Sequence, residues 1–436
     1  MSSKSFHDFK SISVLGASGK MGRGIVLLLV QHLFSVNFKN NVKFNLIAID
    51  LNEEDLKNML SYIEAQTLKY AERNYPQIIE LYDKENPKRS KEEWNKKYSA
   101  DILANITTSI SFESAITSEL IFEAVVEKLE VKVDLIRRIE ENTSLKPYYF
   151  TNTSSIPIQS IEEEAQVKGR IIGLHFYNPP PVQKLLEIIK TENSSKEVES
   201  IAEGIAASLK KTIVYAPDFT GFIGNGQFIR EVSYAIGLVE RLVLINGLPN
   251  AIYLVNEVTK RLLLRPMGIF EVVDYVGINV CQFIMDLMDR DFKDEKFNNS
   301  ILKRLLKQNI LGGQDSYGSI KNGVFKYECG EIVGVYNRHA YDAFDPLNFD
   351  DLTLLTWKEL KSKKDLEAVL SSHFVDLSKS KGLAAKVAVK YGKACNKIGE
   401  NLISKKLAFS ENDVNTVMML GFHHLYGPIN SYFADF

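Results

Sequence analysis

A short strand that runs into a glycine turn and then an apolar helix limits this chain more than any other feature. Ile12–Gly16 (ISVLG) reads as the strand, Gly16-Ala17-Ser18-Gly19-Lys20-Met21-Gly22-Arg23-Gly24 as the turn, and Gly22–Phe34 as the helix. Glycines belong in such a turn because backbone N–H groups at a helix N-terminus must come close to a pyrophosphate. Phe44–Asp50 (FNLIAID) is a second apolar strand that closes on an acid. A carboxylate there can bond both hydroxyls of a ribose and repel a 2′-phosphate. Gly16, Gly19, Gly22 and Asp50 together therefore imply an NAD site in preference to NADP; the bland alternative is a glycine-rich turn with no ligand. The spacing G-x-x-G-x-x-G is one residue longer than G-x-G-x-x-G, and Gly22 to Asp50 exceeds the usual ~20 residues. An insertion over Asn37–Lys43 accounts for the longer gap.

Further strands are expected at Leu120–Val126, Tyr148–Thr151, Arg170–Phe176, Leu185–Ile189 and Thr212–Tyr215, with a helix over Glu127–Asn142. Strands alternating with helices describe a parallel sheet covered on both faces. Glu53–Tyr82 has helical periodicity, and the charged stretch Asp83–Lys97, with Pro87, reads as an exposed helical excursion outside the core. After Pro217 strand signals become scarce. Gly221–Asn246 and Asn250–Leu264 read as long helices parted by Gly247 and Pro249. Leu238–Ile269 and Ile398–Ile429 share an order of helix, break, helix, then Met267–Gly268 or Tyr426–Gly427, which suggests a duplicated helical domain. The expected architecture is thus an α/β domain with a parallel sheet over 1–216, a helical domain over 217–345 and a second helical copy over 346–436.

The chain has 436 residues, too many for one ordinary core, and a formal net charge of −2 that points to neither nucleic acid nor an anionic membrane as partner. Cys281, Cys329 and Cys395 lie far apart with no CxxC pair, which excludes a disulfide framework and a structural zinc site and suits free thiols in a reducing compartment. No metal site is expected. The sequence shows no run of about eighteen apolar residues, so no membrane-spanning helix is expected and the reading is cytoplasmic.

The densest chemistry lies in NTSSIPI (Asn152–Ile158), GLHFYNPPPVQKLLEII (Gly173–Ile189) and DFTGFIGN (Asp218–Asn225). His175 ends an apolar strand at the sheet edge where doubly wound folds bind ligands. Glu187 sits inside another apolar strand, an unfavourable place for a carboxylate unless it is paired. Such a pair holds the imidazole in one tautomer and stabilises it once it has taken a proton, the task that oxidation of an alcohol by NAD requires. Taken alone, His175 could be a satisfied core histidine. The other six histidines lack such surroundings, and His423–His424 has no carboxylate partner at metal-ligand spacing.

Together, NTSS, GLHFYNP…KLLEI, TGFIGN, RPMGIFEVVDYVG (Arg265–Gly277) and GGQDSYGSIKNGVFKY (Gly312–Tyr327) resemble the successive motifs of the 3-hydroxyacyl-CoA dehydrogenases, over about Ser11 to Tyr327. The resemblance implies a Rossmann-type domain followed by a helical one, and an acyl-CoA substrate. It makes His175 the general base and Glu187 its partner, and it matches Ser154 and Asn225 to the residues holding the reacting hydroxyl and the thioester carbonyl. Glu127, Lys132 and Asn178 match cofactor contacts; for Glu127 and Lys132 the bland alternative is solvated charges on a capped surface helix. Arg73 falls on the long helix that receives CoA in the family; a solvent-facing arginine is the alternative. Gln183 stands where the family commonly has Met. The ending, Asn348 to Phe436, is similar to the doubled helical domain in the dehydrogenase part of bifunctional fatty-acid oxidation proteins. No hydratase-like domain is expected ahead of Ile12, which implies a monofunctional dehydrogenase of β-oxidation type. A monomer with an internal pseudo-dimer, or a homodimer, is the expected assembly. Competing readings are a related dehydrogenase of a sugar acid such as gulonate, without a CoA groove, and a non-catalytic cofactor-binding protein.

Overall fold

The computed structural model describes residues 6–433 apart from 41, 83–88, 316–317, 348, 350–351 and 353. The chain divides into two compact units, Met1–Asp218 and Phe219–Phe436.

The first unit is built on an eight-stranded sheet: β1 (Ser11–Leu15), β2 (Asn45–Ile49), β3 (Ile106–Ser109), β4 (Leu120–Glu123), β5 (Tyr148–Thr151), β6 (Ile171–Phe176), β7 (Leu185–Ile189) and β8 (Thr212–Ala216). Their spatial order is β3-β2-β1-β4-β5-β6-β7-β8. β1 to β6 are mutually parallel, so their carboxyl ends share one edge, and the order reverses between β1 and β4, the crevice where such sheets take ligands. β7 departs from the expected all-parallel sheet by pairing antiparallel to β6. The cause is the short link of eight residues between Phe176 and Leu185, whereas a parallel return needs a crossover of about a dozen or more.

Around the sheet lie α1 (Lys20–Asn40), α2 (Glu53–Arg73), α3 (Tyr75–Leu81), α4 (Lys91–Leu103), α5 (Leu129–Asn142), α6 (Ile158–Ala165) and α7 (Lys196–Ser208). Four expectations need correction here. The long Gly22-to-Asp50 gap is largely helix, because α1 continues to Asn40 with Asn37 buried in it. α2 and α3 break at Asn74, where Pro76 cannot continue the hydrogen-bond ladder. From Lys91 onward the charged stretch opens α4, and one face of that helix is core: Ser90 and Glu93 form a capping box, and Trp94, Tyr98 and Ile102, four residues apart, are buried while Lys91, Glu92 and Glu93 stay exposed. Positions 83–88 of the supposed excursion, Pro87 included, fall outside the described residues, and the next residue, Arg89, lies over the Trp94 ring. By length and apolarity Lys20–Phe38 of α1 could cross a membrane, contrary to the sequence reading; more than half of it is buried, with Ile25, Val26, Leu29, Val30 and Leu33 in the core of this unit.

The second unit is mainly helical: α8 (Phe222–Asn246), α9 (Leu248–Glu257) running into a π-helical turn (Val258–Leu262), α10 (Ile269–Val276), α11 (Ile278–Asp291), α12 (Ser300–Leu306), α13 (Trp357–Leu360), α14 (Leu366–Lys379), α15 (Leu383–Ser404) and α16 (Glu411–Gly421). It also holds a small antiparallel sheet of β9 (Phe325–Glu328), β10 (Glu331–Asn337) and β11 (Ala340–Asp342), in the order β11-β10-β9, where few strands were expected. Asp274 of α10 anchors the entry to that sheet by accepting from Val324 N, Phe325 N and the Tyr327 hydroxyl.

One local device recurs in this unit. Asn256 Oδ1 accepts from the amides of Phe270 and Glu271, and an added Cβ at Gly268 would overlap the Asn256 side chain. Asn415 bonds both the amide and the carbonyl of Ile429, and a Cβ at Gly427 would overlap Asn415 in the same way. Each Asn precedes its Gly by twelve residues and a left-handed residue, Leu264 or His423, by eight. Side chains from 217–345 and from 346–436 share one core, among them Val239, Phe270, Phe374, Tyr391 and Phe433. A buried polar cluster joins them as well: Arg265 donates to Glu231 Oε2 at 2.6 Å and to Cys395 Sγ at 3.3 Å.

Candidate active site

Gly16 follows β1 with φ +74°, a backbone setting that favours glycine. A Cβ at Gly22 would overlap the Gly16 carbonyl, so α1 can start against the turn only with glycine there. At Gly19 an added Cβ would meet just the Gly16 oxygen at 3.3 Å, which leaves this part of the turn open in front of the helix N-terminus. That cradle and the adjacent Asp50 suit a dinucleotide. Asp50 is fixed: Ser18 N and Ser18 Oγ donate to its Oδ2 at 2.8 and 2.5 Å, and Leu51 N donates to Oδ1 at 2.8 Å. Ser18, the extra residue of the lengthened turn, thus orients the acid. Leu51 and Ile110, which follow the ends of β2 and β3, are exposed apolar side chains beside it.

At the ends of β4 and β5 lies a charged knot. Glu123 is fully buried and accepts from Val125 N, Thr151 Oγ1 and Lys132 Nζ. Lys132, 1% exposed, also reaches Glu127 Oε2 at 3.2 Å. Burial works against the Lys132 ammonium, but the two carboxylates outweigh it and hold its pKa above the ordinary lysine value. Glu127 Oε1 accepts from Thr153 Oγ1 at 2.6 Å, Ser154 N at 2.8 Å, and Ser155 N and Oγ at 3.1 and 3.0 Å. Burial would raise its carboxyl; Lys132 and these donors overcome that and lower it. Glu127 is therefore the staple of the Asn152–Ser155 loop, and Lys132 its buried counter-charge. The Ser154 hydroxyl stands 3.4 Å from Glu127 Oε1.

His175 and Glu187 are directly opposed across the antiparallel β6–β7 pair. Opposed residues share a face of the sheet with their Cβ atoms about 5 Å apart. His175 Nδ1 meets Glu187 Oε2 at 2.7 Å; Glu187 is completely buried and His175 nearly so. A buried carboxylate accepts, so in the neutral ring Nδ1 carries the proton and Nε2 the lone pair. Asn152 accepts from Phe176 N and ties the end of β6 to the serine loop. Asn178 begins the Asn178–Pro181 loop, its carbonyl accepting from Gln183 Nε2 at 3.2 Å. Lys211, placed on the carbonyls of Pro180 and Gln183, anchors that loop, and burial pulls its pKa down to about 8. Asp218 accepts from Ile158 N and Gln159 N, which starts α6 directly after the serine loop. Burial raises its carboxyl to about 6 in spite of those amides.

The first unit thus gathers the glycine turn, Asp50, Glu127, Lys132, Ser154, His175, Asn178 and Glu187 at the carboxyl edge of one sheet. Arg73 is exposed in the last turn of α2. Asn225 belongs to the second unit, in the first turn of α8, which opens on Gly221 at φ +86°. Sequence reasoning missed Ser18, Glu123, Asn152, Tyr177, Lys211 and Asp218. Two of these carried a readable signal: Glu123 is a carboxylate inside the apolar run Leu120–Val126, as Glu187 is in its strand, and Tyr177 lies two residues after His175.

Comparison with known proteins agrees with this arrangement. The family model described as 3-hydroxyacyl-CoA dehydrogenase, NAD binding domain, matches residues 11–219, and that of the C-terminal domain of 3-hydroxyacyl-CoA dehydrogenase matches residues 221–322. A hydroxyacyl-coenzyme A dehydrogenase, mitochondrial, of Homo sapiens is 32% identical over 320 residues, 72% of this chain and 91% of its own length. A probable 3-hydroxybutyryl-CoA dehydrogenase of Bacillus subtilis is 28% identical over 312 residues, 71% of this chain and 96% of its own. The crystal structure of 3-hydroxybutyryl-CoA dehydrogenase from Escherichia coli shares the fold over 97% of this chain and 90% of that one, at TM-score 0.68 and 21% identity. With its Rossmann-type NAD-binding domain followed by a largely helical region, the chain belongs to the 3-hydroxyacyl-CoA dehydrogenase family.

Proposed function

We propose that this protein oxidises the 3-hydroxyl of a 3-hydroxyacyl-CoA thioester with NAD, in a reaction of β-oxidation type. The observation that carries the reading is the buried His175–Glu187 pair with Nδ1 committed to the carboxylate at 2.7 Å. NAD, when bound, supplies the hydride acceptor. The residues do the rest. His175 Nε2 takes the hydroxyl proton, and Glu187 stabilises the imidazolium that results. Ser154 and Asn225 are assigned to the reacting hydroxyl and the thioester carbonyl by their match to the family's motifs. Gly16, Gly19 and Gly22 receive the pyrophosphate, and Asp50 reads the ribose. Glu127 shapes the cofactor side of the serine loop, Lys132 acts through Glu127, and Asn178 lines the cofactor on the far side. Arg73 is assigned to CoA. The free thiols, with Cys281 and Cys395 buried, suit a reducing compartment such as the cytoplasm, while the human relative is named as mitochondrial.

We also assign 217–345 and 346–436 as two copies of one helical domain, the second non-catalytic and standing in for a partner subunit. The paired clasps of Asn256 with Gly268 and Asn415 with Gly427 support this. Function is tested by following NADH formation with 3-hydroxybutyryl-CoA, a longer 3-hydroxyacyl-CoA and gulonate at equal concentration. CoA esters should be oxidised and gulonate left; oxidation of gulonate alone would overturn the substrate class.

A further inference from the structure

We propose that Tyr177 is a third member of the His175–Glu187 pair, a positioning residue whose hydroxyl shares the carboxylate and sets how readily His175 gives up its proton. This rests on His175 being the base of the proposed reaction.

The sharing is visible in the atoms. Tyr177 OH donates to Glu187 Oε2 at 2.8 Å, and that is the same oxygen that His175 Nδ1 meets at 2.7 Å. The Tyr177 and His175 rings lie against each other, with centroids 4.8 Å apart and planes inclined by 43°. Burial, and then the charge of Glu187, push the phenol well above its ordinary value, so it stays a donor throughout the working range. The charged side chains on the elements around the pair have partners of their own. Lys211, just before β8, lies on the carbonyls of Pro180 and Gln183, and Asp218, just after β8, lies on the amides of Ile158 and Gln159. Glu127 and Lys132 are engaged with each other, with Glu123 and with the serine loop.

An oxygen that accepts from two donors holds each less strongly than it would hold one. The difference matters most when His175 is protonated, because a cation gains more from an unshared carboxylate than a neutral ring does. Tyr177 therefore weakens the hold of Glu187 on the imidazolium more than its hold on the imidazole. The ring returns to its neutral, proton-accepting form more readily than a bare His–Glu pair would allow. Glu187 still fixes the tautomer, since Nδ1–H remains bonded to Oε2 in both states.

The test is a pH titration of His175 by NMR on protein labelled with 13C-histidine, its signal assigned by its loss in His175→Gln. Tyr177→Phe should move the His175 midpoint to higher pH by on the order of half a unit or more. The same change in a Glu187→Gln background should move it far less. Site-specific replacement of Tyr177 by 3-fluorotyrosine keeps the shape, strengthens the donor and should move the midpoint the other way. A midpoint unmoved by both replacements would overturn the proposal, as would an equal shift without the Glu187 carboxylate. A purely structural Tyr177 would alter thermal stability alone. The titration needs no turnover, so absence of activity with every CoA ester would refute the proposed substrate and leave this inference to be decided by NMR. If the enzyme turns over, the acid limb of kcat/KM should follow the midpoint in each variant.

Discussion

Ending the chain after Asp345 should unfold or self-associate the second unit and leave the first intact. Nine large apolar side chains beyond that point lie in the core of the second unit: Phe349, Leu360, Leu370, Phe374, Leu377, Val387, Tyr391, Leu425 and Phe433. At ~1.5–3 kcal/mol for each buried side chain, reduced because the unfolded chain is not fully extended, their loss removes about 15 kcal/mol of burial. That equals or exceeds the ~5–15 kcal/mol by which ordinary domains are stable. The truncation also uncovers Arg265 and Glu231, whose pair is packed beside Cys395 and Tyr391. Among the described residues, the core cluster of the first unit is drawn from Phe6 to Ala206 of that unit itself, so its NAD site should survive. Light scattering, circular dichroism and calorimetric NAD binding on intact and truncated protein would measure all three effects. A truncated protein that stays monomeric, keeps its full helicity per residue and melts cooperatively at the same temperature would refute the shared core.

Further outcomes follow from individual contacts. Ser18→Ala removes the 2.5 Å hydroxyl bond to Asp50 and should narrow the preference for NAD over NADP on the order of tenfold, with Asp50→Ala narrowing it further; equal cofactor efficiencies in the unmutated protein would show that Asp50 does not face the ribose. Asp274→Ala strands two buried amides and the Tyr327 hydroxyl and should cost about 3 kcal/mol or more in urea unfolding; a loss below about 1 kcal/mol would mean that the closing segment does not depend on it. Asp218 has a folded value of about 6, above its ordinary 3.8. In the unfolded chain it therefore releases its proton first, and its contribution to stability falls as pH rises from about 4 to about 6. Asp218→Asn should flatten that part of the stability–pH curve, and an unchanged slope would assign it to other groups.

What could be read in the sequence was what repeats or stands out chemically. The alternation of strands and helices located seven of the sheet's strands, and Gly16, Gly19, Gly22 and Asp50 pointed to the edge to which we assign NAD. His175 and Glu187 stood out because each was an ionisable residue in an apolar strand. β3 escaped notice because ITTS is a short edge strand with two exposed threonines and little apolar signal. α4 was hidden by its lysines and glutamates, which solvate one face while Trp94, Tyr98 and Ile102 bury the other. The antiparallel turn of β7 depended on a link length that was available but unused, and it is what brings His175 and Glu187 together. Ser18 on Asp50 and Asp218 on α6 join residues 32 and 60 apart, which periodicity cannot pair.

The central claim is that His175, held by Glu187, takes the proton of an acyl-CoA hydroxyl while NAD accepts hydride. It is tested most directly by kcat/KM for 3-hydroxybutyryl-CoA in the unmutated protein and in His175→Gln, with NAD affinity measured on both. The account predicts a loss of ~10²–10⁴-fold in the variant with cofactor affinity unchanged. Turnover within a few-fold of the unmutated protein would contradict it.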